Sequence, residues 1–253
     1  MLNILVHGAS GRMGQMVCRI LQNETPDMVL AAQVSPDLAE NAEKGIFASL
    51  EQNTVLADCV IDFSHHTAAP NLAAYCAEHK LPLVVGTTAH TEAELAAIKD
   101  AAKTVPVFRS ANMSIGVAFL AEIGKRAAAL FPNADIEIIE KHHNQKLDVP
   151  SGTALLLADR ISEARSDAEY VIGRHENGKR KPQEIGIHSL RLGSEVGSHE
   201  IIIATGAETL TLRHDAEDRR LFAEGALAAA RFIVKQKAGL YDMRDMLTKE
   251  ASL

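Results

Sequence analysis

Cysteine is scarce in this 253-residue chain: Cys18, Cys59 and Cys76 are odd in number, far apart and without a C-x-x-C pair. That argues against a disulfide framework and for a reducing compartment. No apolar run approaches the ~20 residues that cross a bilayer, so no membrane role is expected. Positive charge is in deficit, 26 Lys+Arg against 33 Asp+Glu with a net charge of −7, which argues against a general binder of nucleic acid or anionic membrane. Met1 leads into a strand-like run without a basic n-region, apolar h-region or cleavage site, and the expected location is cytoplasmic. There is no internal repeat, low-complexity tract or Pro/Gly-rich linker. What is present, 47% hydrophobic and 23% charged residues, is the composition of an ordinary globular protein. The length suits one large domain or two modest ones with a sizeable core.

Against that plain background, residues 140–155 stand out: Glu-Lys-His-His-Asn-Gln-Lys-Leu-Asp-Val-Pro-Ser-Gly-Thr-Ala-Leu. Asp135 to Ile139 alternates like a half-buried strand, and the residues after Pro150 open an apolar helix, so the cationic segment is expected on a loop between strand and helix. Free N–H groups at a helix start attract anions. His142, His143, Lys146 and the N–H groups near Ser151, Gly152 and Thr153 therefore suit a small polycarboxylate. Histidine titrates near neutrality, so it can also move a proton. The plainer alternative is a solvated basic surface with Ser151 as an N-cap.

The first third of the chain reads as strand, glycine turn and helix. Leu2 to His7 is apolar, Gly8-Ala9-Ser10-Gly11-Arg12-Met13-Gly14 follows, and Met13, Val17, Ile20 and Leu21 share one helical face. In that context a glycine turn binds a dinucleotide: Gly11 admits the pyrophosphate, Gly14 admits the helix, and the helix N-terminus faces the phosphates. Met28 to Val34 is the second strand, yet Ser35 stands where an acid often holds the ribose, and the nearest acid, Asp37, comes two residues late. That leaves NADH and NADPH open. Strands at Cys59 to Phe63, Leu83 to Val85 and Val105 to Arg109 alternate with helical patterns, one of them opened by a Thr91/Glu94 capping box. Loops at the C-terminal ends of such strands line a ligand crevice, so Gly86, Thr87 and Thr88 suit the nicotinamide side. His65 and His66, adjacent in sequence, make a poor metal pair and are expected as loop surface or helix-start contacts; no metal site is expected.

The string E-K-H-H-N-Q-K-L-D-V-P-S-G-T-A resembles the signature E-x-H-H-x-x-K-x-D-x-P-S-G-T-A of the 4-hydroxy-tetrahydrodipicolinate (dihydrodipicolinate) reductase family at every fixed position. Residues 8–14 resemble that family's G-x-x-G-R-M-G, and residues 86–89 its G-T-T-G, with Ala89 in place of the last glycine. Ser110-Ala111-Asn112-Met113-Ser114 resembles its A-x-N-F/M-S, where Asn112 and neighbouring backbone would meet the nicotinamide carboxamide. Arg191 to His199 is similar to R-G-G-D-I-V-G-E-H, but Leu192 and Ser198 break it, so a special role for that turn is not expected.

The resemblance implies reduction of 4-hydroxy-tetrahydrodipicolinate to tetrahydrodipicolinate in lysine and diaminopimelate biosynthesis. It implies His142 and Lys146 as the acid/base pair, a dicarboxylate held by His143, Ser151, Gly152 and Thr153, and a homotetramer. Two other readings stay open: a catalytically inactive nucleotide-binding sensor, and another small-acid dehydrogenase on the same fold.

The expected architecture is α/β. A Rossmann-type parallel sheet domain (residues 1–113 and 220–253) is joined by a smaller α+β substrate domain (114–219) with an open mixed sheet. The latter rests on strand-like runs at Ile185 to Leu192, Glu200 to Thr205 and Thr209 to Arg213 with no helices between. The closing helix is expected to pack through Leu221, Gly225, Ala228, Ala229 and Phe232.

Overall fold

Apolar runs without alternation mark strands covered on both faces, and Ile4-Leu5-Val6 and Val60-Ile61 are fully buried in this way. The computed structural model describes residues 1–250; residues 251–253, which the expected first domain includes, lie outside the described residues. The chain forms two units, Met1–Ser114 with Arg220–Leu253, and Ile115–Arg219. In order, the elements are β1 (Leu2–His7), α1 (Arg12–Asn23), β2 (Met28–Val34), β3 (Ile46–Phe47), β4 (Cys59–Asp62), α2 (Ala69–Glu78), β5 (Leu83–Val85), α3 (Glu92–Ala101) and β6 (Pro106–Arg109). Then come α4 (Ile115–Leu130), β7 (Asp135–His142), α5 (Gly152–Ser162), β8 (Glu169–Ile172), β9 (Glu184–Arg191), β10 (Gly197–Ala204), β11 (Thr209–Ala216), α6 (Arg220–Ile233), β12 (Gly239–Tyr241) and α7 (Met243–Glu250).

In the first unit seven parallel strands run in the order β12-β6-β5-β4-β1-β2-β3. From β3 to β6 this is the doubly wound order 3-2-1-4-5-6, whose direction reverses between β1 and β4 and opens a crevice at the strand C-termini there. Helix α1 buries Gly14, Val17, Cys18, Ile20 and Leu21. Helix α3 starts on the expected capping box, Thr91 Oγ1 accepting from Glu94 N–H and Glu94 returning a bond to Thr91 N–H. The buried face of α6 is broader than the expected stripe: Ala223, Ala226, Leu227, Ala230 and Ile233 join Gly225, Ala229 and Phe232, while Leu221 and Ala228 are half-buried.

The second unit is a five-stranded mixed sheet, order β11-β10-β7-β9-β8. Strands β10 and β11 are antiparallel, as are β10 and β7, whereas β7, β9 and β8 run parallel. Helices α4 and α5 cover one face, packing Leu120, Ala121, Leu157, Ala158 and Ile161 onto Ile136, Ile138, Ile185, Ile187, Ile201 and Ile203. Period-2 alternation built this layer. Strand β7 corrects one expectation: it runs to His142 rather than stopping at Ile139, so the first two residues of the cationic segment's His-His pair straddle a strand end instead of lying together on a loop.

Candidate active site

Every candidate nucleotide contact in the first unit lies at or just past the C-terminal end of a parallel strand. Gly8 to Met13 follow β1, Ser35 follows β2, Gly86 to Thr88 follow β5, and Ser110 to Met113 follow β6. Arg12, Met13, Gly86, Thr87 and Thr88 line one cleft of about 470 Å³ with Phe63, Ser64, His65 and His66. The turn after β1 is tight because it lacks side chains: a Cβ on Gly14 would lie 2.1 Å from Gly8 O, so helix α1 could not seat. A Cβ on Gly11 would meet only Gly8 O at 3.3 Å and Phe63 O at 3.7 Å. Packing within the chain asks less of Gly11 than of Gly14: a Cβ there needs its neighbours to give by only a few tenths of an ångström. Helix α1 has no side-chain cap and no acid in its first turn, so its leading N–H groups and partial positive charge are uncovered. These features fit a pyrophosphate.

Ser35 is buried, its Oγ 2.6 Å from Ser10 Oγ, and the Ser10 hydroxyl also donates to Asp37 at 3.5 Å. The late acid therefore still reaches the glycine turn. The two threonines divide their work. Thr87 is buried and donates to Asp62 Oδ2 at 2.6 Å, while Asp62 Oδ1 meets His7 Nδ1 at 2.8 Å, tying β1, β4 and the turn after β5 together. Thr88 is exposed in the cleft. His65 accepts from Thr67 N–H at a 3-10 helix start, and His66 bonds Glu94. Ala89 adopts φ +63°, the left-handed region that favours glycine.

In the second unit the signature grows out of the sheet register. Ile136, Ile138, Glu140 and His142 share the covered face of β7, so two polar residues occupy positions that the alternation reserves for core. Glu140 is flanked by Ser189 on β9 and His199 on β10, and His142 pairs with Arg191. The Glu140 carboxylate is fully buried and filled with donors. Its Oε2 takes His142 Nδ1 at 2.5 Å and an Arg191 nitrogen at 2.9 Å; its Oε1 takes the second Arg191 nitrogen at 2.8 Å and Ser151 N–H at 3.1 Å. Burial pushes the Glu140 carboxyl up, but the bonds from His142 and Arg191 outweigh it and hold the group well below the usual carboxylate range.

Ser151 caps α5, its Oγ accepting from Ala154 N–H at 3.2 Å and meeting His199 Nε2 at 3.2 Å. Burial pushes His199 down to about 3, so it stays neutral. Its ring stands edge-on to His142, centroids 5.1 Å apart. Beyond the strand, Lys146 Nζ lies 2.8 Å from Asp148 Oδ1. Burial raises the Asp148 carboxyl, yet the Lys146 bond and backbone N–H groups leave it below its ordinary value. Gly152 is exposed, with nothing within 4 Å of where a Cβ would stand, and Thr153 beside it is half-buried.

Two findings go beyond the sequence reading. The turn after β9 does have a role, and its backbone carries it: Leu192 N–H donates to His142 O, while Gly193 O and Glu195 O accept from Asn144 and His143 N–H. Side-chain departures at Leu192 and Ser198 leave those bonds intact. Glu140, Arg191 and His199 were also without an assigned role. The available signal was parity, since Glu140 and His142 fall two and four residues beyond Ile138 on the buried face.

Chemically, the second unit offers one imidazole tied to a carboxylate, one neutral imidazole, an ammonium, and the Ser151-capped start of α5. The first offers a nucleotide cleft. Residues 2–113 match the family model described as dihydrodipicolinate reductase, N-terminus, and residues 116–247 that described as dihydrodipicolinate reductase, C-terminus. The chain is similar to the 4-hydroxy-tetrahydrodipicolinate reductase of Caldanaerobacter subterraneus subsp. tengcongensis, 43% identical over 98% of this chain and 99% of that one. It is 41% identical to that of Clostridium tetani, over 98% and 97% of the two chains. Among solved structures, a dipicolinate-bound dihydrodipicolinate reductase from Paenisporosarcina sp. TG-14 superposes with a TM-score of 0.82 at 27% identity, covering 96% of this chain and 97% of that one. With both halves matched in sequence and the architecture matched in structure, this chain belongs to the 4-hydroxy-tetrahydrodipicolinate reductase family.

Proposed function

We propose that this chain reduces 4-hydroxy-tetrahydrodipicolinate to tetrahydrodipicolinate, in lysine and diaminopimelate biosynthesis, with NADH or NADPH as reductant. The observation that carries the reading is the buried Glu140–His142 pair, which places a proton-carrying ring at the end of β7, four residues before Lys146 and shortly before the start of α5. A sensor has no use for such a proton source. The relative from Paenisporosarcina is bound to dipicolinate, which supports a ring dicarboxylate as the ligand class.

Bound reduced nicotinamide supplies the hydride. The N–H groups of α1 with Gly8, Ala9, Ser10, Gly11, Arg12 and Met13 hold the pyrophosphate, and Ser35 with Asp37 faces the ribose. Gly86, Thr88 and Ser110 to Met113 hold the nicotinamide. His143, Lys146, Ser151, Gly152 and Thr153 hold the substrate carboxylates, since ammonium and backbone N–H groups bind oxygen anions strongly out of water. The substrate loses water to a conjugated imine, and His142 and Lys146 handle the proton at that centre.

No helix among the described residues is long and apolar enough to cross a membrane, and the same reading carries a cytoplasmic homotetramer. The uncovered face of the second sheet supports association, with Leu190 exposed and Ile139 and Ile202 half-buried. The deciding assay supplies the enzymatic condensation product of pyruvate and aspartate semialdehyde and follows loss of reduced nicotinamide with each cofactor. Oxidation in the presence of that product is expected. A folded protein that binds nucleotide and leaves it reduced is a sensor, and one that oxidises it only with other acids is a different dehydrogenase.

A further inference from the structure

The Glu140 carboxylate accepts four N–H contacts, two from Arg191, one from Ser151 and one from His142. A carboxylate is acceptor-only, and the bidentate Arg191 fork requires the ionised form. The proton in the 2.5 Å contact to His142 therefore sits on Nδ1. In the neutral ring this leaves the lone pair on Nε2, and no described residue bonds that nitrogen. Gly197 borders it, since a Cβ there would lie 3.0 Å from Nε2. The other carboxylate oxygen holds the N–H of Ser151, which caps the helix whose start is the proposed anion site.

From this geometry we infer that Glu140 is a positioning residue: one buried carboxylate fixes the tautomer of His142, with Nε2 as the working nitrogen, and fastens the tip of α5 to the same strand. The inference rests on the proposed role of His142 for its effect on turnover, but not for its effect on the ring. Without Glu140 the ring is free to carry its proton on Nε2 and to turn. A glutamine cannot replace it, because its oxygen and NH₂ cannot both accept. An NH₂ toward Ser151 meets two donors, Ser151 N–H and Arg191; toward His142 it meets only one, Arg191, and the ring can accept at Nδ1 with its proton moved to Nε2, so that placement is favoured. Wrong tautomers of this kind in hydrolytic triads cost about 10⁴-fold, and the looser fit here predicts a loss on the order of 10²-fold.

The test is ring ¹⁵N NMR on the parent and on Glu140→Gln, with His142 assigned by its disappearance in His142→Gln, together with kcat and KM. In the parent the neutral ring is expected to carry its proton on Nδ1. In Glu140→Gln the Nε2–H form should appear and kcat should fall about 100-fold, with KM for substrate within about threefold. A parent ring protonated on Nε2 overturns the inference whether or not the variant folds. A folded Glu140→Gln with the parental tautomer overturns it as well. Full turnover in His142→Gln, with the ring results as expected, removes His142 from the reaction and leaves the assignment of Glu140 as the holder of its tautomer standing.

Discussion

The glycine turn after β1 and the signature segment after β7 are two strand-to-helix connections built on opposite principles. The first works by what it leaves out. Gly14 clears Gly8 O, no side chain caps α1, and the anion site is bare backbone. The second works by what it buries: a carboxylate and two imidazoles on positions that the strand pattern assigns to core, with a half-buried guanidinium beside them. A site of omitted atoms is damaged by adding a methyl group. A site of buried charge is damaged by neutralising one member, since the partner is left unpaired in a low dielectric.

The largest expected effect falls on the charged site. Lys146→Ala should lower turnover by roughly 10²-fold or more with an unchanged circular dichroism spectrum; a rate within a factor of a few of the parent would remove Lys146 from the mechanism. The glycine turn should divide cleanly. Gly14→Ala drives a methyl into Gly8 O and should cost about 1–3 kcal/mol of stability by urea unfolding, whereas Gly11→Ala should leave the midpoint unchanged and weaken nucleotide binding about tenfold by fluorescence titration. If both alanines behave alike, the distinction between a packing glycine and a ligand glycine fails.

Acid sharpens the comparison further. His199 is neutral in the fold and titrates near 3, against an unfolded value of about 6.5. The unfolded state binds the extra proton between those values, so this stabilisation is full above about pH 6.5 and is lost as pH falls toward 3. The parent should lose about 1–2 kcal/mol through this group by about pH 5, and His199→Gln should flatten that slope. The smallest effect belongs to the nucleotide cleft: Ala89→Gly should relieve the left-handed backbone and raise stability by about 1 kcal/mol. An unchanged or lower midpoint would mean that Ala89 is not strained.

The same contrast explains what could be read from the residues alone. The first sheet and its turn were legible because apolar runs and glycine spacing are local signals, and the capping box at Thr91 and Glu94 is equally local. Ile136 and Ile138 announced β7, but the alternation stopped reading as a strand once Glu140 and His142 took the buried positions. The start of β10 was hidden for a similar reason, because Gly197, Ser198 and His199 are poor strand formers. Strand β8 carries Glu169, Tyr170, Val171 and Ile172 at a sheet edge where none is buried, so no periodicity marks it. Strands β3 and β12, two and three residues long, exist only because neighbouring strands offer them partners. Arg191 and His199 reach Glu140 and Ser151 through register, which no stretch of sequence displays.

Strand β7 is the middle of five, paired with β10 as far as Lys141 and with β9 as far as His142. Opening it at Lys141 means parting both neighbours, so amide exchange at Lys141 should track global unfolding, while that at Gln145 and Leu147 should not. The reductase thus keeps its imidazole on a central strand and its ammonium on the loop that follows.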